Sequence, residues 1–158
     1  LFVRRDNFPG NFYPDTLSFI GGRIEEGETE EKALLREIQE EIGLAVDGLQ
    51  IKRLGWLPNL QADGDWTEQG DGSENKQNIF SVRLTYEQAS SLTLGQEGKN
   101  LVWIDPDSFD GIAGSGELKG SVLIPNLSFV LLGHKEGLRK MTEGEELSPS
   151  DLGLNPFN

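Results

Sequence analysis

The sequence predicts a domain of the α/β or α+β class, with helices layered on a sheet as a sandwich. Three observations carry this. The 158 residues are enough for one hydrophobic core. Short apolar or alternating runs bounded by Gly and Pro recur along the chain and read as strands. Two longer stretches, "ETEEKALLREIQEEIG" and "PNLSFVLLGHKEGLRKM", read as helices. The domain is placed at residues 1–141. The acidic segment 142–158 has little apolar periodicity and reads as a loosely held tail.

"LFVRR" reads as a strand, and "DNFPGNFYPD" as a loop punctuated by Pro9, Gly10 and Pro14. "LSFIGG" reads as a short strand stopped by glycines. The helix that follows shows an apolar stripe of Leu34, Leu35, Ile38 and Ile42. Thr29 is its expected N-cap, Glu30 and Glu31 suit the positive end of its dipole, and Gly43 is its expected C-terminal stop. "LQIKRLGWLP" reads as a strand and "NLQADGDWTEQGDGSENK" as a long acidic loop. "QNIFSVRLT" alternates as a strand does. "YEQASSLTLGQEGK" suggests a turn of helix and a loop, "NLVWID" another strand, and residues 125–141 the second helix. Trp56 and Trp103 read as core or near-core strand residues.

Composition narrows the function. A net charge of −13 disfavours a protein that grips the phosphate backbone of a nucleic-acid polymer. A small phosphorylated ligand is compatible if a cation bridges it. With no cysteine there is no disulfide, thiolate metal site or Cys nucleophile. That fits a reducing cytoplasm. No apolar run is long enough to span a bilayer. The chain opens at Leu1 and not at Met, which leaves a targeting segment open. A homodimer is compatible with the sequence.

The unusual feature is a cluster of like charges. On a helix, Glu37, Glu40 and Glu41 are spaced to share one face. Each like-charge pair costs roughly 0.2–0.5 kcal/mol. Glu40 and Glu41 also fall at the negative end of the helix dipole, the wrong end for acids. One reading is a solvated acidic face. The other is a site for a hard cation: Mg²⁺ takes oxygen ligands, often carboxylates together with substrate phosphates. Zinc is disfavoured with no Cys and one His.

The same residues carry a family resemblance. Gly22, Glu28, Arg36, Glu37, Ile38, Glu40, Glu41, Gly43 and Leu44 meet every fixed position of G-x5-E-x7-R-E-U-x-E-E-x-G-U, U being a bulky aliphatic residue. The stretch resembles the signature of the Nudix hydrolase family, of the MutT type. "RRD" upstream and the strand near Trp103 extend the resemblance. Ile20 departs from it, standing where many members have Pro, which we take as a difference in loop stiffness.

The resemblance implies a Nudix-type α/β/α sandwich with a mixed sheet. It implies Mg²⁺, with Mn²⁺ as an alternative. Glu37, Glu40 and Glu41 would hold the metal, and the backbone carbonyl of Gly22 would add a ligand. Glu28 and Arg36 would form an ion pair tying the glycine loop to the helix; the plainer reading of Arg36 is an exposed i,i+4 partner of Glu40. Gly21, Gly22 and Gly27 would permit a tight loop close to substrate. Glu97 resembles the further acid that some members use as ligand or general base, with Glu68 and Glu74 as rivals and a solvent-exposed loop residue as the plain alternative. Glu40, Glu41 or Glu97 would take the proton of the attacking water.

The implied reaction is hydrolysis of a nucleoside diphosphate linked to another moiety X, by water attack at phosphorus. Arg4 and Arg5 are candidates for touching substrate phosphates, against a plain reading as surface charge. Phe8, Phe12, Tyr13 and Trp66 could stack on a base or simply pack. His134 reads as structural. Two other functions compete: a catalytically silent Nudix-fold module binding nucleotide or protein, and an unrelated acidic cation-binding domain. An intact glutamate set argues against the first, and the lack of a D-x-[DN]-x-[DN]-G loop against the second.

Overall fold

The computed structural model describes residues 1–9, 13–58, 76–96, 98–105, 117–118, 121–122, 127, 130 and 133–157. The chain divides into two units. The first holds Leu1–Ile51 and Val82–Trp103, the second Lys52–Ser81 and Ile104–Asn158.

The first unit contains β1 (Phe2–Arg4), β2 (Leu17–Ser18), α1 (Glu30–Ile42), α2 (Tyr86–Ser90) and β5 (Asn100–Val102). Between α1 and α2 the chain runs through β3 (Gln50–Pro58) and β4 (Lys76–Arg83). β1 lies in the middle of a three-stranded antiparallel sheet. Val3 pairs with Ser18 on one side and Leu101 on the other, which buries Val3. The expected strand over "LSFIGG" is cut to two residues, Leu17–Ser18, and Gly21 beyond it adopts a φ of 140°.

α1 has the predicted bounds, set by local chemistry. The Thr29 hydroxyl accepts the Lys32 N–H at 3.3 Å, satisfying one of the orphan donors of the first turn. Gly43 leaves the helix in the left-handed conformation at φ 61°, its N–H reaching the Gln39 carbonyl. Ile38 and Ile42, one turn apart, join Leu44 in a buried cluster. Leu34, Leu92 and Leu101 pack around it. Ala33 is fully buried, whereas Leu35 is only partly covered. α2 is a single turn with a complete capping box: Thr85 and Gln88 each accept the other's backbone N–H.

In the second unit β3 pairs with β4, burying Leu54, Leu57 and Ile79. β6 (Glu117–Leu118) and β7 (Ser121–Val122) form a small antiparallel ladder that the sequence does not announce. The helix expected over 125–141 is interrupted. Leu127, Val130 and Gly133 have helical backbone, His134 does not, and α3 runs Lys135–Glu143 to a left-handed Gly144. Gly133 gives the helix little to hold it at that point. The His134 ring lies against Gly153, where any side chain would collide with it. This agrees with a structural His134.

The segment from Thr142 carries a short 3-10 turn and buried side chains. Leu147, Leu152 and Leu154 are buried. A 3-10 turn at Pro149–Leu152 presses on Gly137 of α3. Trp56 and Asn155 exchange two backbone hydrogen bonds of 2.9 Å, and the Trp56 indole N–H donates to the Pro156 carbonyl at 3.1 Å. Trp103 departs from expectation: it lies just past β5 and is 52% exposed. Among the described residues, no helix is long and apolar enough to cross a membrane.

Two outcomes are expected. Ile38→Ala removes a fully buried branched side chain and should lower unfolding free energy by roughly 2–5 kcal/mol in urea titration. The second concerns acid. The Asp151 carboxylate is pulled from its ordinary 3.8 to about 2, first by the Ser148 hydroxyl, then by the Ser148 N–H and Lys140. A depressed carboxylate stabilises the fold above its unfolded pKa, and that contribution fades as pH falls through the folded one. Melting curves between about pH 4 and pH 2 should therefore slope less for Asp151→Asn than for the parent.

Candidate active site

The site lies wholly in the first unit, where the loop Gly21–Glu28 meets α1. Helical geometry turns Arg36, Glu37, Glu40 and Glu41 toward that loop, while Ile38 and Ile42 point into the core. Arg36 joins the two. Its Nε and Nη2 both donate to Glu28, each at 3.1 Å, in the bidentate fork that only guanidinium offers. Nη2 also donates to the Arg23 carbonyl at 2.8 Å. Nη1 donates to Glu37 at 2.6 Å and to Glu40 at 3.1 Å. The loop-to-helix pair and the i,i+4 pair, posed as alternatives from sequence, are thus present together.

These contacts set the electrostatics. Glu28 is held below the usual carboxylate range, chiefly by its hydrogen bonds from Arg36 and then by the Glu25 N–H. Arg36 is pushed above its already high value by Glu28 and then Glu37. The pair is therefore charged at any ordinary pH. Glu28 follows the depressed-carboxylate rule: its stabilisation is present above 4.5 and is lost as pH falls through its lower folded pKa.

The glycine pair makes the second set of contacts. The Gly21 N–H donates to the Glu41 carboxylate at 2.9 Å. Gly22 lies against the Glu37 carboxylate so closely that a methyl group there would overlap it. Consecutive loop residues thus touch glutamates one helical turn apart. Gly22 is needed for close approach and Gly21 for its positive φ.

Among the described residues, no three acidic side chains already surround one point. The reason is visible in the contacts. Arg36 stands between Glu37 and Glu40, and Glu41 is turned to Gly21. The donor set nonetheless suits a hard divalent cation: oxygen donors only, with no competing sulfur or imidazole. Arg4 ends β1 between Leu17 and Asn100, and Arg5 bonds Thr16 through its backbone. Glu97, Glu68, Glu74, Phe12 and Trp66 lie outside the described residues. Phe8 is 70% exposed, and Tyr13 adopts a positive φ of 57°.

Sequence reasoning missed two participants. The Arg23 carbonyl receives Arg36, which no side-chain motif can signal. The segment Thr93–Gly95 packs on the end of α1, a contact made across more than fifty residues of chain.

A glycine loop fastened to a glutamate-bearing helix by one arginine is the three-dimensional form of the signature. The chain belongs to the Nudix family: the NUDIX domain model matches residues 1–122. It is a Nudix hydrolase with an α+β fold. A nucleoside triphosphatase, NudI, from Enterobacter sp. (strain 638) is 29% identical over 105 residues, 62% of this chain and 67% of that protein. Two solved structures share the fold. DR0079 from Deinococcus radiodurans matches with a TM-score of 0.57 at 18% identity, over 82% of this chain and 70% of that one. A C. elegans Ap4A hydrolase in a binary complex matches with 0.52 at 15% identity, over 90% and 86%.

Arg36→Lys is expected to keep the charge and lose the fork. Lysine's point charge cannot serve Glu28, Glu37, Glu40 and the Arg23 carbonyl together. Turnover should fall by about 10-fold or more, the scale of losing a residue that orients site side chains, with the far-UV circular dichroism unchanged. Parent-like activity would show that the fork is dispensable.

Proposed function

We propose that this hydrolase is a divalent-cation-dependent pyrophosphohydrolase acting on a nucleoside diphosphate linked to a further group. The observation that carries this is the meeting of Gly21 and Gly22 with Glu41 and Glu37. It brings the backbone of the glycine loop against the carboxylates on one side of α1. Glu37, Glu40 and Glu41, with the carbonyl of Gly22, would hold Mg²⁺ or Mn²⁺. The nucleoside triphosphatase among the relatives supports a nucleotide substrate.

When bound, the cation supplies neutralisation of phosphate oxygens and acidification of water. The chain's own part is positional. Glu28 and Arg36 fix the loop against the helix, and Arg36 lowers the negative potential that would repel an anionic substrate. Gly21 and Gly22 let backbone approach the phosphates. Arg4 and Arg5 are proposed to contact them from the end of β1. A carboxylate, Glu40, Glu41 or Glu97, takes one proton from the attacking water. The water oxygen bonds to phosphorus, the bridging P–O bond breaks, and the bridging oxygen leaves with one of two phosphorylated products.

Glu41→Gln is expected to leave the fold intact and lower turnover by about 100-fold or more, as for loss of a base or ligand. The assay is a panel of nucleoside di- and triphosphate derivatives with Mg²⁺ or Mn²⁺, read by product identification. An unchanged rate at saturating Mg²⁺ would remove Glu41 from the site.

The cation itself is tested by melting curves in MgCl₂ and in NaCl of equal ionic strength. Mass action stabilises by about 1.4 kcal/mol at tenfold excess over Kd. Glu40→Gln should shrink the Mg²⁺ response. If the two salts act alike on the parent, the carboxylates form only a solvated face.

A further inference from the structure

The carboxyl end of α1 is gripped by a segment outside the signature. The Thr93 N–H donates to the Ile42 carbonyl at 3.0 Å, and the Gly95 N–H donates to the Glu41 carbonyl at 2.8 Å. The Gly95 α-carbon lies directly on the peptide joining Glu40 to Glu41. A methyl group there would overlap the Glu40 carbonyl oxygen and come within 3.1 Å of the Glu41 α-carbon. The fit is mutual: a methyl on Gly43 would overlap the Thr93 hydroxyl. The segment is anchored beyond this contact too. Leu92 packs in the α1 core cluster, the Gly98 N–H donates to Asp6 at 2.9 Å, and the Lys99 N–H donates to the Arg4 carbonyl at 2.7 Å.

Two physical consequences follow. The last carbonyls of a helix have no partner within it, and a last turn without them satisfied frays. Here Gln39, Glu41 and Ile42 all receive donors, from Gly43, Gly95 and Thr93. That matters because α1 has no basic residue in its last turn to offset the dipole. Two amide donors at this end offset part of the negative potential where Glu40 and Glu41 stand.

We propose that Thr93–Gly95 is a positioning element for the cation site, with Gly95 as its positioning residue. It fixes the Glu40–Glu41 peptide, and so the directions in which both side chains leave the helix. This rests on the reading of Glu40 and Glu41 as cation-holding residues. Gly95 touches neither substrate nor cation; it acts through the helix end.

The test compares the parent chain, Gly95→Ala and Gly48→Ala by electron paramagnetic resonance titration of Mn²⁺. Gly48 has a φ of 75° and open space around it, so its substitution strains the backbone without touching α1. Gly95→Ala should raise the Mn²⁺ Kd by about 10-fold or more, the scale of losing an outer-shell support. Gly48→Ala should lower the melting temperature and leave Mn²⁺ affinity near the parent's. Equal Mn²⁺ affinity in parent and Gly95→Ala overturns the proposal. A parent that binds no Mn²⁺ overturns the cation reading itself, and the proposal with it. Should Gly95→Ala not fold, Mg²⁺ titration of the parent by amide NMR decides. The Thr93 and Gly95 amides should shift along the same saturation curve as those of Glu40 and Glu41; if they stay fixed, the grip plays no part in positioning.

Discussion

The guanidinium of Arg36 is the interaction on which the site depends. A loop with several glycines has little to hold it in one shape. A helix face with three glutamates repels itself. One planar cation answers both problems, because its nitrogens reach Glu28 and the Arg23 carbonyl in the loop and Glu37 and Glu40 on the helix. Removing a partner from such a set leaves the others undercompensated, so its members behave as a unit.

The second constraint is close approach. Gly22 meets Glu37, Gly95 meets the Glu40–Glu41 peptide, and Gly43 meets Thr93. On its functional side α1 is therefore met by glycine backbone at Gly21, Gly22 and Gly95 as well as by the Arg36–Glu28 side-chain pair. Backbone is stiffer than a rotamer-rich side chain, and it presents N–H and C=O groups that carry no net charge. On the cation-site reading proposed above, such backbone walls are an advantage, since they neither titrate nor swing away.

Legibility from sequence followed the range of the interaction. The bounds of α1 were readable because Thr29 and Gly43 act within a turn of the helix. The Glu28–Arg36 pair was readable through the resemblance, which encodes loop geometry in its spacing. The grip of Thr93–Gly95 was not, because nothing local distinguishes Gly95 from a turn glycine. The same holds for Leu147, Leu152 and Leu154, whose burial depends on where the rest of the second unit lies. His134 interrupts a helix that apolar periodicity carries straight through, since the ring's fit against Gly153 is a tertiary matter. Trp103 misled because a tryptophan beside a strand is usually covered, and here the strand stops one residue before it.

The bridge between Trp56 and Asn155 has a consequence for solubility. A strand whose N–H and C=O groups face outward is a template for another strand, and proteins cover such edges or pay in aggregation. Trp56 turns both of its backbone groups to Asn155, and Arg53 stacks on the Phe157 ring at 3.8 Å beside it. The residues around Asn155 thus work as a built-in cover for β3. Unzipping them would free the Trp56 N–H and C=O from Asn155, an edge suited to pairing with the same edge of another molecule.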